Sequence, residues 1–172
     1  MQLNTNKSKY AIFGSRSMKL PNTTPAVTIN NQSITRIGNS CQEKSIKFLG
    51  VHLDETLTWN THVDYICKKV SQSLFAIYRV KNVLPKTALK SLYYTLIHSH
   101  LTYAIQIWGH FNNLNKLITK QKRAIRAYLS HTEPLFKQYH ILKLQDLYTL
   151  ESTLCMYKLQ NNLLHTSFKV MK

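Results

Sequence analysis

Apolar positions keep two different rhythms along the chain. From residue 9 to residue 53 they come in short runs separated by turn-forming residues, and from residue 61 to residue 165 they recur at spacings of three and four. The first rhythm predicts strands over residues 9–13, 26–29, 32–37 and 46–53, with Asn30-Asn31 as a hairpin turn and Gly50 as a place for a bulge or a close backbone approach. The second predicts helices. Thr61 offers a side-chain cap and Asp64 a carboxylate near the positive helix end; Val63, Ile66, Val70, Leu74 and Ile77 then form one core-facing stripe, with Lys68, Gln72 and Arg79 on the other side. After Pro85 a second helix through Leu89, Leu92, Leu96 and Ile107 is apolar nearly all round, so it is expected to be central, and Gly109 ends it. A third helix over residues 113–129 places Leu114, Leu117, Ile118, Ile125 and Leu129 on one face. Beyond Pro134 a fourth carries Leu144, Leu147, Leu150, Leu154 and Tyr157. The predicted fold is α+β: a small, incomplete antiparallel sheet followed by a mainly α-helical bundle of about four helices.

Charge turns this outline towards a partner. Lys and Arg number 23 against 7 acidic residues, a formal charge of +16, which exceeds what solubility needs and predicts attraction to a polyanion. Residues 65–132 hold no acid at all and eleven Lys or Arg. Lys116, Lys120, Lys122, Arg123 and Arg126 fall on the polar side of the third helix, where no interleaved acid can form the intrahelical ion pairs of an ordinary solvated helix. These five, with Lys68 and Arg79, are candidate phosphate contacts, and nucleic acid is the expected partner. Tyr93, Tyr94 and Tyr103 could stack on bases, but their apolar surroundings assign them to packing.

Other chemistry is sparse. Asp54 and Glu55 are adjacent at a strand end, so their side chains should diverge and not converge on metal ions. His98 and His100 have no Cys or acid at ligand spacing, and neither a nucleophile motif nor a glycine-rich phosphate loop occurs. No metal site is expected. Cys41, Cys67 and Cys155 fit free thiols in a reducing compartment, nuclear or cytoplasmic. The polar N-terminus shows no secretory signal, and the apolar run over residues 89–108 is broken by His98, Ser99, His100 and Gln106, so it reads as a buried helix and not a membrane span. An anionic membrane surface stands second to nucleic acid as the polyanion, since a basic amphipathic helix can also bind a membrane or calmodulin, but no membrane partner is assigned.

Several segments, taken in order, carry a family resemblance. Leu3-Asn4-Thr5-Asn6-Lys7-Ser8-Lys9-Tyr10 resembles the segment with an Asn-x-x-Lys-Thr core that follows the catalytic Asp-Asp motif of reverse transcriptases from non-LTR retrotransposons of the jockey and CR1-like type, with Ser8 in place of Thr. Val27-Thr28-Ile29-Asn30 and Ile34 resemble the hairpin that comes next. Lys47-Phe48-Leu49-Gly50-Val51, continuing through Leu53-Asp54-Glu55 and Leu57-Thr58-Trp59 to His62, is similar to the primer-grip strand. Leu101-Thr102-Tyr103-Ala104 with Ile107-Trp108-Gly109 resembles a segment that has Gly where Ala104 stands. Gln121-Lys122-Arg123-Ala124-Ile125-Arg126, Pro134-Leu135-Phe136, Ile141-Leu142-Lys143-Leu144 and Met156-Tyr157-Lys158 resemble the later helical region.

That resemblance implies that residues 1–58 are the C-terminal remnant of the polymerase palm, with Lys47, Phe48, Leu49 and Gly50 as a primer-grip-like element. Residues 59–172 would be the helical, thumb-like region that embraces a template-primer duplex. Lys7 would stand near an incoming nucleotide. The Ala-Asp-Asp motif and the earlier palm aspartate are not in the sequence, so the chain as it stands is expected to have no polymerase activity and no cofactor, whereas the parent enzyme would use Mg. The expected function is residual, sequence-tolerant binding of an RNA-DNA hybrid or duplex. Two alternatives stand beside it: a helical protein-protein interaction module, and a non-functional remnant of a decayed element.

Overall fold

A computed structural model describes residues 4, 8–14, 26–38, 41–111, 114–128, 136 and 140–163. The fold is α+β, with six short strands preceding the helices among the described residues. Two compact units divide the chain, Met1–Asp64 and Tyr65–Lys172. Helix starts at Asn60, so the change from strand to helix and the division between units do not coincide.

In the first unit the strands are β1 (Lys9–Ala11), β2 (Thr28–Ile29), β3 (Gln32–Ser33), β4 (Thr35–Ile37), β5 (Ser45–Phe48) and β6 (Val51–Asp54). They pair as three separate two-stranded ladders. β2 and β3 are antiparallel about Asn30-Asn31, whose φ angles of 51° and 60° are those of a two-residue hairpin turn that asparagine tolerates. The single strand expected over residues 46–53 is instead an antiparallel hairpin, β5 with β6, turned at Leu49-Gly50. Leu49 has φ 44° and Gly50 φ 83°. A left-handed leucine costs about 1–2 kcal/mol, so its side chain gives no turn signal.

The expectation of an all-antiparallel sheet is also corrected, because β1 and β4 run parallel with Lys9 opposite Thr35 and Ala11 opposite Ile37. Side-chain alternation is the same for either direction, and the partner strand lies beyond the intervening hairpin. A Cβ on Gly38 would fall on the Glu55 carboxylate, which accepts from Arg36 Nη2 at 2.7 Å in a largely buried ion pair. Asp54 turns the other way, accepting from the Thr58 amide at 2.8 Å and the Thr58 hydroxyl at 2.8 Å. The two carboxylates thus diverge.

The helices are α1 (Asn60–Val80), α2 (Lys86–Tyr93), a π-helical turn (Tyr94–His98), α3 (Ser99–Thr102), α4 (Ile105–Trp108), α5 (Asn115–Tyr128) and α6 (Leu144–Gln160). Thr61 lies inside α1 and does not cap it; Trp59, at φ 60°, presents the carbonyl that accepts from the Val63 amide at 2.8 Å. The stripe of Val63, Ile66, Val70, Leu74 and Ile77 is buried as its spacing requires.

The second predicted helix is not continuous. Its buried residues are Leu89, Tyr93, Ile97, Leu101 and Ile105, each four after the last, and then Trp108. In a helix of 3.6 residues per turn such a stripe drifts by about 40° per step. A π turn, with i→i+5 bonding, takes up part of that drift. The helix then breaks at Tyr103–Ala104, where Ala104 has φ 52° and the Tyr103 carbonyl accepts from Trp108 Nε1 at 3.0 Å. Leu96 and Ile107, expected inside, are exposed. A Cβ on Gly109 would meet the Ile105 carbonyl and the Tyr148 ring, both at 2.5 Å, so α4 reaches α6 closely only because this residue is glycine. α6 brings a further correction: Leu144 and Leu147 are buried, but Leu150, Leu154 and Tyr157 of the same expected stripe face solvent. Leu129 and Pro134 lie outside the described residues.

Candidate nucleic-acid interface

α5 has two unlike sides. Leu117, Gln121, Ala124 and Ile125 are buried, while Lys116, Lys122, Arg123 and Arg126 are exposed, with Asn115 and Thr119 between them and no acid anywhere in the helix. Lys120 is half-buried and donates its ammonium to Ser71 Oγ on α1, which ties the edge of the basic face to the neighbouring helix.

The inner side is anchored by an amide. Gln121 Nε2 donates to Tyr93 Oη at 3.1 Å and to the Leu142 carbonyl at 2.9 Å, while its Oε1 accepts from the Leu144 amide at 3.1 Å. α6 begins after Lys143, which makes no side-chain cap, so Gln121 supplies an acceptor that the first turn needs. Burial pushes the Tyr93 hydroxyl up to about 12 against the pull of the Gln121 bond. Tyr93 is fully buried and packs as its apolar setting implied, whereas Tyr94 is half-buried and Tyr103, assigned to packing with them, is exposed.

α1 presents a further face. Lys68 and Arg79 are exposed there, and two rings that the sequence pattern did not single out join them: Phe75 is 63% exposed and Tyr78 42%. Arg79 Cζ lies 5.1 Å from the Phe75 ring centre, and Lys81 Nζ lies 5.1 Å from that of Tyr78. The signal was present in the spacing, because each ring follows a stripe residue, Leu74 or Ile77, and so stands about 100° round the helix from the core side.

In the other unit Lys47, Phe48 and Leu49 are exposed at the tip of the β5–β6 hairpin, with half-exposed Gly50 completing the turn. Lys47 stands opposite His52 in the ladder. Burial lowers the His52 pKa, and Lys47 lowers it further. The neighbouring His62 is buried and accepts from the His52 amide through Nδ1 at 3.3 Å; burial first, then His52, pushes its pKa down to about 4. Lys7 lies outside the described residues.

Among the described residues no group of His, Cys, Asp or Glu is placed to hold a metal ion, and no helix is long and apolar enough to cross a membrane. Cys41, Cys67 and Cys155 are free thiols. Compared with protein-family models, curated proteins and solved structures, the chain matches none of them.

Proposed function

We propose that this chain binds nucleic acid through the outer face of α5, as the thumb-like part of a reverse transcriptase of the non-LTR retrotransposon type. The observation that carries the reading is Lys116, Lys122, Arg123 and Arg126 exposed on one helix whose opposite side is fixed in the core. A face of that kind reads phosphate and not base identity, so duplex and RNA-DNA hybrid should bind with little sequence preference. Two details support the ancestry. Ala104 adopts the left-handed conformation that glycine favours, at the place where the resembling segment has glycine. Lys47, Phe48 and Leu49 are presented to solvent by a tight turn, which suits a primer-grip-like role. Free cysteines support a reducing compartment, nuclear or cytoplasmic.

Anisotropy titrations of a labelled duplex across salt concentrations test the phosphate reading. Affinity should fall steeply with salt, and replacing Lys122, Arg123 and Arg126 with Gln should reduce the slope by about 2–3. Affinity that is indifferent to salt would sink it. A second reading, a protein-interaction module, is favoured by the C-terminal half of α6, where Leu150, Leu154, Met156, Tyr157 and Leu159 are exposed. Capture of a defined protein that survives nuclease treatment and is lost in a Leu150→Ser, Leu154→Ser variant would support it.

A further inference from the structure

Lys68, Ser71, Phe75 and Tyr78 follow one another at spacings of three, four and three, so they lie on one row of α1. The row begins with a cation, passes the serine that Lys120 reaches from α5, and ends in the two exposed rings with Arg79 and Lys81 over them. It is therefore continuous with the basic face of α5 inside the second unit.

We propose that this row takes up unpaired nucleic acid, with bases stacking on Phe75 and Tyr78 while phosphates rest on Lys68, Lys81 and the cations of α5. The inference rests on the nucleic-acid reading above and names a ligand class for the same surface. Charge selects a polyanion: the sequence from residue 65 to residue 132 contains no acid that would repel one. The rings select within that class. A phosphate clamp needs no aromatic side chain, and two large rings on the polar side of a helix expose apolar surface to water at a cost. Bases in a duplex already stack on each other, whereas unpaired bases offer free faces, and aromatic rings beside cations take such faces whatever the base.

The test uses the full chain and two labelled probes, a ~20-nucleotide oligothymidylate and a blunt duplex of the same length, a span that covers more than one typical single-strand site. The Phe75→Leu, Tyr78→Leu variant keeps apolar bulk and helix propensity but removes both rings. It should bind oligothymidylate at least about tenfold more weakly, with duplex affinity changed by less than about twofold. Equal losses on both probes, or none on the single strand, would overturn the proposal. Failure of the unaltered chain to bind either probe would remove the nucleic-acid reading itself, a result distinct from salt-sensitive duplex binding with no role for the rings. Vesicles containing phosphatidylserine separate a lipid surface: both chains binding vesicles alike, with neither binding oligothymidylate, counts against stacking. Dimerisation lost in the variant, with oligothymidylate affinity kept, would assign the row to a second copy and also overturn it. Thermal melting checks that the variant folds. Independently, Tyr78→Trp should show emission quenched by oligothymidylate and not by vesicles, and an unquenched tryptophan at saturation would count against the proposal.

Discussion

Three groups converge on the Gln121 side chain, the buried Tyr93 hydroxyl, the buried Leu144 amide and the part-buried Leu142 carbonyl, and each would lose this hydrogen bond if the amide were removed. Unsatisfied buried polar groups cost more than a hydrogen bond contributes when made, so Gln121→Leu should lower stability by about 2–4 kcal/mol in urea unfolding, despite adding apolar surface. A loss under about 1 kcal/mol would show that the three groups find other partners. His62 makes a comparable demand of opposite chemistry, since its imidazole is buried in the neutral form. Its folded pKa of about 4 lies below the unfolded value of 6.5, so the unfolded chain binds more protons between the two. Stability is accordingly intact above about pH 6.5 and falls as pH drops towards 4, by a total on the order of 3 kcal/mol. An imidazole NMR titration checks this directly: the His62 ring should remain neutral at about pH 5, and a midpoint near 6.5 would contradict its burial.

Among the elements, those whose residue types signal their own conformation were legible, and those held by distant contacts or by an uncommon backbone conformation were not. α1 declared itself through its stripe, and the first hairpin through Asn30-Asn31, because each conformation is dictated by residues within a few positions. The Leu49-Gly50 turn was hidden, because leucine rarely adopts φ 44°, and the parallel β1–β4 pairing leaves no trace in either strand alone. The path from Lys86 to Trp108 was read as one helix because its apolar residues are dense enough to satisfy several registers. The structure chooses one by inserting a π turn and then a left-handed Ala104. That choice is testable. Ala104→Gly should relieve about 1–2 kcal/mol of left-handed strain and return part of it as unfolded-state entropy, for a net gain near 0.5 kcal/mol, whereas Ala104→Val should destabilise by more than that. Thermal unfolding of both variants decides it; a stabilising valine would show the break to be absent. The basic side of α5 was readable because charge periodicity is local. The α1 rings were not singled out, because an aromatic residue reads as core until its neighbours fail to cover it.

For the whole chain the governing quantity is +16. Like charges in a folded domain repel one another and are further apart on average when it unfolds, so screening favours the folded state. The melting temperature should therefore rise with moderate salt, and rise further with a polyanion that binds the folded form, in proportion to the logarithm of its concentration. Heparin and a duplex oligonucleotide are suitable ligands for differential scanning fluorimetry. Stabilisation by neither would argue that the cations are not gathered on a surface that a polyanion can reach.

The division of α5 into an anchored interior and an exposed exterior has a consequence for how such a helix can be altered. Its place in the core is specified by Leu117, Gln121, Ala124 and Ile125, none of which carries charge, while its electrical character is specified by Lys116, Lys122, Arg123 and Arg126, none of which is buried. Two independent alphabets are written on one cylinder. An engineer could rewrite the outer one, neutral, inverted or patterned for a chosen polymer, and use the inner one unchanged as the mounting.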